Sequence, residues 1–225
     1  MEWTTGVSTL NAQDTEVENA LQIGDPAPNF QARTTQGTVN LSDFQGKWLV
    51  LFSHPADFTP VCTSEFVALA KAKQHFERLG AALMAVSVDS LYAHFGWIKA
   101  IKDGFGVTID FPIVEDPSLA IGRAYGMISE RSQDAATMRS TYFIDPQGIV
   151  RAITTYPATV GRSVAEMLRL LAALQRVDLY GVVTPEAWQP GDDVLLPPPS
   201  EQKDIMALSD DPLWFYRTRP DEGGA

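Results

Sequence analysis

Apolar positions along the chain fall into two patterns that alternate: short unbroken runs, and longer stretches in which they recur every three or four residues. Trp48-Leu49-Val50-Leu51-Phe52 is an unbroken run, as expected of a strand covered on both faces. A helix is predicted after His54-Pro55. Thr59 suits its N-cap, Pro60 the first helical position and Gly80 its end, while Phe66, Leu69, Phe76 and Leu79 supply a buried face at helical spacing. Ala82 to Val88 reads as a second buried strand. Ser90 then caps a helix carrying Phe95, Ile98 and Ile101, with His94 on its surface. Phe111 to Val114 is a short strand and Pro117 to Tyr125 a short helix. Ser140 to Ile144, the turn Asp145-Pro146-Gln147-Gly148 and Ile149 to Thr155 form a hairpin. A last helix starts at Ser163, with Val164, Met167, Leu168, Leu171 and Leu174 on its apolar side. Ahead of all these, Leu21 to Phe30 reads as extended and Thr34 to Leu41 as a small hairpin turning near Gln36-Gly37. This order predicts an α/β fold, a sheet with helices on both faces closed by an antiparallel hairpin.

The ends of the chain differ from its middle. Residues 1–20 are polar and acidic with little to bury, and read as a flexible N-terminal arm. From about Tyr180 prolines accumulate (Pro185, Pro190, Pro197, Pro198, Pro199), yet Trp188, Trp214, Phe215 and Tyr216 are interspersed. So many aromatics are unusual in a disordered tail, so this segment is expected to dock, on another subunit or on its own. The expected organisation is an arm over 1–20, a main domain over 21–178, and a C-terminal dimerisation or oligomerisation arm over 179–225.

Composition narrows the chemistry. Lys and Arg total 17 against 28 Asp and Glu, a formal charge of −11, which repels phosphate backbones and anionic membranes. Neither nucleic acid nor membrane is an expected partner. No apolar run approaches the roughly 20 residues that span a bilayer, and Met1 to Ala20 lacks the basic start and apolar centre of a signal peptide. The cytoplasm is the expected compartment. The three histidines, His54, His75 and His94, show no metal-ligand spacing, and a single cysteine excludes an intrachain disulfide, a CxxC pair and a cysteine-rich zinc site. No metal or cofactor is expected.

That single cysteine, Cys62, falls in Pro55-Ala56-Asp57-Phe58-Thr59-Pro60-Val61-Cys62-Thr63-Ser64-Glu65, directly after a central strand. With Thr59 as N-cap, Cys62 takes the third helical position, near backbone N–H groups without helical partners and the positive end of the helix dipole. Negative charge is favoured there, and the thiolate is the form of cysteine that attacks an electrophile. The Thr59 hydroxyl can reach either the Cys62 amide or a ligand oxygen. A lone cysteine is otherwise most often a buried, inert thiol. Its place at a strand-to-helix junction favours the nucleophile.

The segment from Pro55 to Glu65, P-x-D-F-T-P-V-C-T-x-E, resembles the active-site loop of peroxiredoxins, the one-cysteine subfamily in particular. Ser53-His54, Ser87-Val88-Asp89-Ser90, the helix with Trp97, Phe111-Pro112-Ile113-Val114-Glu115-Asp116 and Arg139-Ser140-Thr141-Tyr142-Phe143-Ile144-Asp145-Pro146 fit the same subfamily. So does Thr184-Pro185-x-x-Trp188-x-x-Gly191-Asp192 in the tail. The resemblance implies a thioredoxin-like fold with a central mixed sheet flanked by helices, plus a C-terminal extension. It also implies a thiol peroxidase that reduces hydrogen peroxide and organic hydroperoxides through a Cys62 sulfenic acid. In the matching positions Pro55 shields the thiolate, Thr59 holds the peroxide, and Arg139 supplies positive charge. His54, Glu65, Val61 and Arg162 stand around the site: Arg162 as a second arginine, His54 beside the pocket, and Glu65 as the carboxylate that orients it. The resemblance further implies a homodimer or a ring of dimers, an external thiol reductant and a role in antioxidant defence.

Read on their own, some of these residues have other uses. Arg139 and Arg162 could be surface charges, His54 a satisfied polar residue at a strand end, and Glu65 an acid at a helix N-terminus. The family's pattern is also not met throughout. Where some animal relatives carry a lipase-like G-x-S-x-G, this chain reads Gln45-Gly46-Lys47-Trp48-Leu49, so no phospholipase activity is carried over. The resolving cysteine of two-cysteine relatives is missing too. Rival readings are a thioredoxin-like scaffold, a holdase chaperone and a cysteine hydrolase.

Overall fold

A computed structural model describes residues 20–128, 135–208 and 212–221. The arm expected over 1–20 therefore lies, but for Ala20, outside the described residues. The main sheet has seven strands in the order β2-β1-β5-β4-β3-β6-β7. These are β1 (Gln31–Thr34), β2 (Gly37–Asn40), β3 (Trp48–Ser53), β4 (Ala81–Ser87), β5 (Ile113–Glu115), β6 (Arg139–Ile144) and β7 (Val150–Tyr156). β3 runs parallel to β4, and β4 to β5, while β1 and β6 join antiparallel. The sheet is mixed, as expected.

β3 shows why the sheet carries two cores. All six of its residues are buried. Trp48, Val50 and Phe52 face one layer with Phe66, Leu69, Trp97 and Leu171, while Leu49 and Leu51 face the other with Met84, Val86, Tyr125 and Tyr142. Period-two alternation inside an all-apolar run sends successive side chains to opposite covers. Each such side chain contributes about 1.5–3 kcal/mol when fully buried. The helices α1 (Pro60–Arg78), α2 (Leu91–Phe105) and α4 (Val164–Tyr180) supply the first layer. The short α3 (Ala120–Ala124) and the segment after Leu21 supply the second. That segment, expected to be extended throughout, first turns at Ile23-Gly24, where the Asp25 N–H donates to the Gln22 carbonyl at 3.2 Å, and is then bridged at Pro26 to Ile149.

Two further expectations need correction. The helix expected over Pro117 to Tyr125 is regular only from Ala120, because Asp116 takes up the preceding turn by accepting from the Gly122 N–H at 2.7 Å. On α2, Phe95 points outward, and the buried face is His94, Trp97 and Ile101. His94 is thus wholly buried, not on the surface.

The tail holds β8 (Val194–Leu195), α5 (Gln202–Ala207) and β9 (Thr218–Arg219), β8 and β9 pairing antiparallel. Trp188 is buried on the tail's own subunit with Val182, Val194, Ala172 and Ala173 of α4, and its indole N–H donates to the Asp192 carbonyl at 3.1 Å. Met206, Phe215 and Tyr216 remain more than half exposed.

Candidate active site

Cys62 sits where the parallel strands end. β3 leads into residues 54–59, and α1 begins at Pro60 with Thr59 as N-cap, so Cys62 is the third helical residue. The first helical bond runs from the Thr63 N–H to the Thr59 carbonyl at 2.9 Å; the amides of Val61 and Cys62 have no carbonyl one turn behind them. The Thr59 side chain does not cap the helix. Its hydroxyl donates to the Ala56 carbonyl at 2.9 Å, not to an acceptor near Cys62, and keeps its oxygen lone pairs.

Around the thiol the chain builds a buried charge cluster. Arg139, first residue of β6, donates from Nη1 to Cys62 Sγ at 3.3 Å and to Glu65 Oε2 at 2.8 Å. Its Nε and Nη2 hold the Ala158 carbonyl at 2.9 and 2.7 Å. Arg162, in the loop before α4, grips Glu65 from the other side. Its backbone N–H and Nε reach Oε1 at 2.7 and 3.0 Å, and Nη2 reaches Oε2 at 2.8 Å. The Arg162 Nη1 bonds the Ser140 carbonyl and Thr141 Oγ1, and the guanidinium lies 5.3 Å over the Phe52 ring. Cys62 is fully buried, and Arg139, Arg162 and Glu65 are nearly so. Burial opposes ionisation of Glu65, but the hydrogen bonds and charge of Arg162, with the charge of Arg139, hold its carboxyl below the usual carboxylate range. Two guanidiniums against one carboxylate leave a buried cluster with an excess of positive charge beside Cys62 Sγ.

These placements bear on the other uses of the residues. Arg139 and Arg162 are core residues, and Glu65 lies a turn too deep to serve the helix N-terminus. Val61 lies beside the loop of Arg162, where a Cβ added at Gly161 would be 3.4 Å from its Cγ1. Pro55 is buried in the loop entering α1.

His54 belongs to a neighbouring cluster. Its Nε2 lies 2.8 Å from Asp57 Oδ1, and His94 Nδ1 lies 2.7 Å from Asp57 Oδ2. The ligand-capable atoms of these three buried residues fall within 4.8 Å of one another, although their sequence spacing gave no sign of it. Sequence reasoning missed Asp57 and His94. The available signal was helical: His94, Trp97 and Ile101 recur at three and four residues. Burial pushes the His54 imidazole below its usual pKa despite its bond to Asp57. Next to Asp57, Phe58 adopts φ +57°, a conformation that costs a non-glycine residue about 1–3 kcal/mol.

Comparison with known proteins matches residues 23–153 to the AhpC/TSA family and residues 173–207 to the C-terminal domain of 1-Cys peroxiredoxin. A peroxiredoxin of Aquifex aeolicus is 44% identical over 202 residues, covering 85% of this chain and 91% of its own. Peroxiredoxin 2 of Caldanaerobacter subterraneus is 45% identical over 184 residues, covering 82% and 83%. Among solved structures, the yeast mitochondrial 1-Cys peroxiredoxin superposes with a TM-score of 0.80 at 41% identity, over 89% of this chain and all of its own. A variant of the peroxiredoxin 6 of Arenicola marina superposes with a TM-score of 0.81 at 30% identity, over 91% of this chain and all of its own.

Proposed function

The chain belongs to the peroxiredoxins of the AhpC/TSA family, which are thiol peroxidases of thioredoxin-like fold, and on that premise we propose that Cys62 is its peroxidatic nucleophile, acting on hydrogen peroxide and organic hydroperoxides. The observation that carries the reading is the Arg139 Nη1 donor, 3.3 Å from Sγ and clamped by Glu65 and the Ala158 carbonyl.

The Cys62 thiolate attacks the distal peroxide oxygen; an S–O bond forms, the O–O bond breaks, and the second oxygen leaves with a proton as water or alcohol. Charge moves from sulfur to the leaving oxygen. Donors fixed before the reaction stabilise that charge without reorganising, and one such donor is worth about 10²–10³ in rate. Arg139 and the partnerless first-turn amides of α1 fill this role. The Thr59 hydroxyl accepts the peroxide O–H, and Pro55 walls the site from water. Raising the thiolate fraction alone achieves less. Lowering a thiol pKa from about 8.5 to about 6 increases thiolate at pH 7 roughly 30-fold, but nucleophilicity falls by roughly tenfold at a coefficient of about 0.4–0.5.

The resulting sulfenic acid has no second cysteine in the chain to meet. An external thiol condenses with it, releasing water and forming a mixed disulfide; a second thiol then displaces Cys62 as the thiolate. The yeast relative is described as resolved via glutathione/thioredoxin systems, which supports a small or protein thiol as reductant here. Steady-state assays with hydrogen peroxide test the reading. Turnover is expected only when a thiol such as dithiothreitol is present, with a sulfenic acid trapped on Cys62 by dimedone. Peroxide consumption without dimedone labelling of Cys62 would refute it.

A further inference from the structure

Asp57 is a buried carboxylate whose two oxygens are taken by two imidazoles from different elements. We propose that His94, through Asp57, is a positioning residue for the peroxidase reaction: it fixes residues 54–59, the loop that carries Pro55 and Thr59 into α1. The inference rests on the thiol-peroxidase reading above.

The contacts make the loop over-determined. Burial opposes the charge on Asp57, but the hydrogen bonds from His54 and His94 hold its carboxyl below the usual range. An ionised carboxylate has no proton to give, so His54 donates from Nε2 and His94 from Nδ1. The Asp57 backbone N–H donates to Asp89 Oδ2 at 2.9 Å, an oxygen that also accepts from the Ser87 hydroxyl at 2.9 Å. Immediately after this anchor Phe58 is held at φ +57°, its ring so close to α2 that a Cβ added at Gly96 would lie 3.5 Å from Cζ. A strained residue keeps such a conformation only where its surroundings dictate it. His94 is the part of that surround that α2 contributes from its buried face. Without its donor one Asp57 oxygen is buried and unpaired, and the loop is released toward a relaxed Phe58. Thr59, the next residue, then moves relative to Cys62.

The test uses the place of the donor. Asparagine carries its side-chain nitrogen as many bonds from Cβ as His94 Nδ1, whereas glutamine carries it one bond further. His94→Asn is expected to keep the peroxide rate within about threefold of wild type and His94→Gln to lose about tenfold or more, because displacements near 1 Å are costly to a reacting geometry. Alkylation of Cys62 by iodoacetamide, which needs the thiol but no held peroxide, is expected to stay within about twofold in both. Asp57→Asn gives an independent arm: the amide nitrogen that replaces one carboxylate oxygen cannot accept the imidazole N–H that this oxygen held, so the peroxide rate should again drop about tenfold with alkylation unchanged. Equal peroxide rates in His94→Asn and His94→Gln would overturn the inference. If His94→Gln fails to fold, a wild-type peroxide rate in Asp57→Asn would do so. A wild-type protein that does not react with peroxide at all would end the peroxidase reading itself, and this inference with it.

Discussion

Arg139 has two ways of helping Cys62: favouring the thiolate before reaction, or receiving charge on the leaving oxygen during it. Arg139→Met separates them. The peroxide rate constant from stopped flow should fall about 10²-fold or more, while iodoacetamide alkylation changes far less. Equal losses in both would assign Arg139 to thiolate formation alone. Glu65 is the residue that lets two guanidiniums share a buried space. Glu65→Gln should cost about 3–5 kcal/mol at neutral pH, read by urea unfolding, since it strands buried charges. Its pH signature follows from its depressed pKa. A carboxyl below its unfolded value of about 4.3 stabilises fully above that pH, and its contribution is lost as pH falls through the folded value. Stability of the wild type should therefore decline below about pH 4 more steeply than that of Glu65→Gln. A steeper decline in the variant would contradict this. Cys62 was legible in the sequence because its cues are local, a cap and a proline at a strand-to-helix junction, whereas Arg139 was singled out only by the family resemblance. The Glu65 partnership was not legible, since Arg139 and Arg162 reach it across 74 and 97 residues.

Among the elements, β3, α1 and β4 were legible almost to the residue, because an apolar run and a capped, periodic helix each carry their own boundaries. α2 shows the limit. Its cap was read correctly, with Ser90 accepting from the Ala93 N–H at 3.3 Å, but its face only in part: Ile101 is buried and Ile98 packs on the core, as expected, while Phe95 does not. Phe95 is an obvious apolar residue that lies 44% exposed, and His94 an obvious polar one that is wholly buried. A histidine is buried when a partner elsewhere completes it, and Asp57 is 37 residues away. Ser90→Ala should cost about 1 kcal/mol of stability through loss of the cap. The peroxide rate of the folded protein should not change. Unaltered urea unfolding would mean that the cap does not hold α2.

At the scale of the whole molecule, the tail divides. Trp188 packs on α4 of its own subunit, whereas Phe215 and Tyr216 are 56% and 52% exposed. The aromatic count in the sequence could not separate these, since either surface satisfies the same composition. The expected arm is accordingly proposed for the distal part. Phe215→Ser with Tyr216→Ser should lower the mass measured by light scattering and leave the thermal midpoint of the subunit nearly unchanged. An unaltered mass would remove these rings from any contact between copies. A chain with one cysteine also predicts a fate for excess peroxide. Without a reductant, Cys62 should gain two oxygens, about 32 Da, as the sulfinic acid, and little disulfide between copies should form because the thiol is fully buried. The central claim, that one buried thiol performs the peroxidase chemistry, is tested most directly by mixing reduced protein with one equivalent of hydrogen peroxide and following intact mass. The wild type should consume the peroxide and gain one oxygen, about 16 Da, on the Cys62 peptide, while folded Cys62→Ser should do neither; peroxide consumption by Cys62→Ser at more than a few per cent of the wild-type rate would contradict the account.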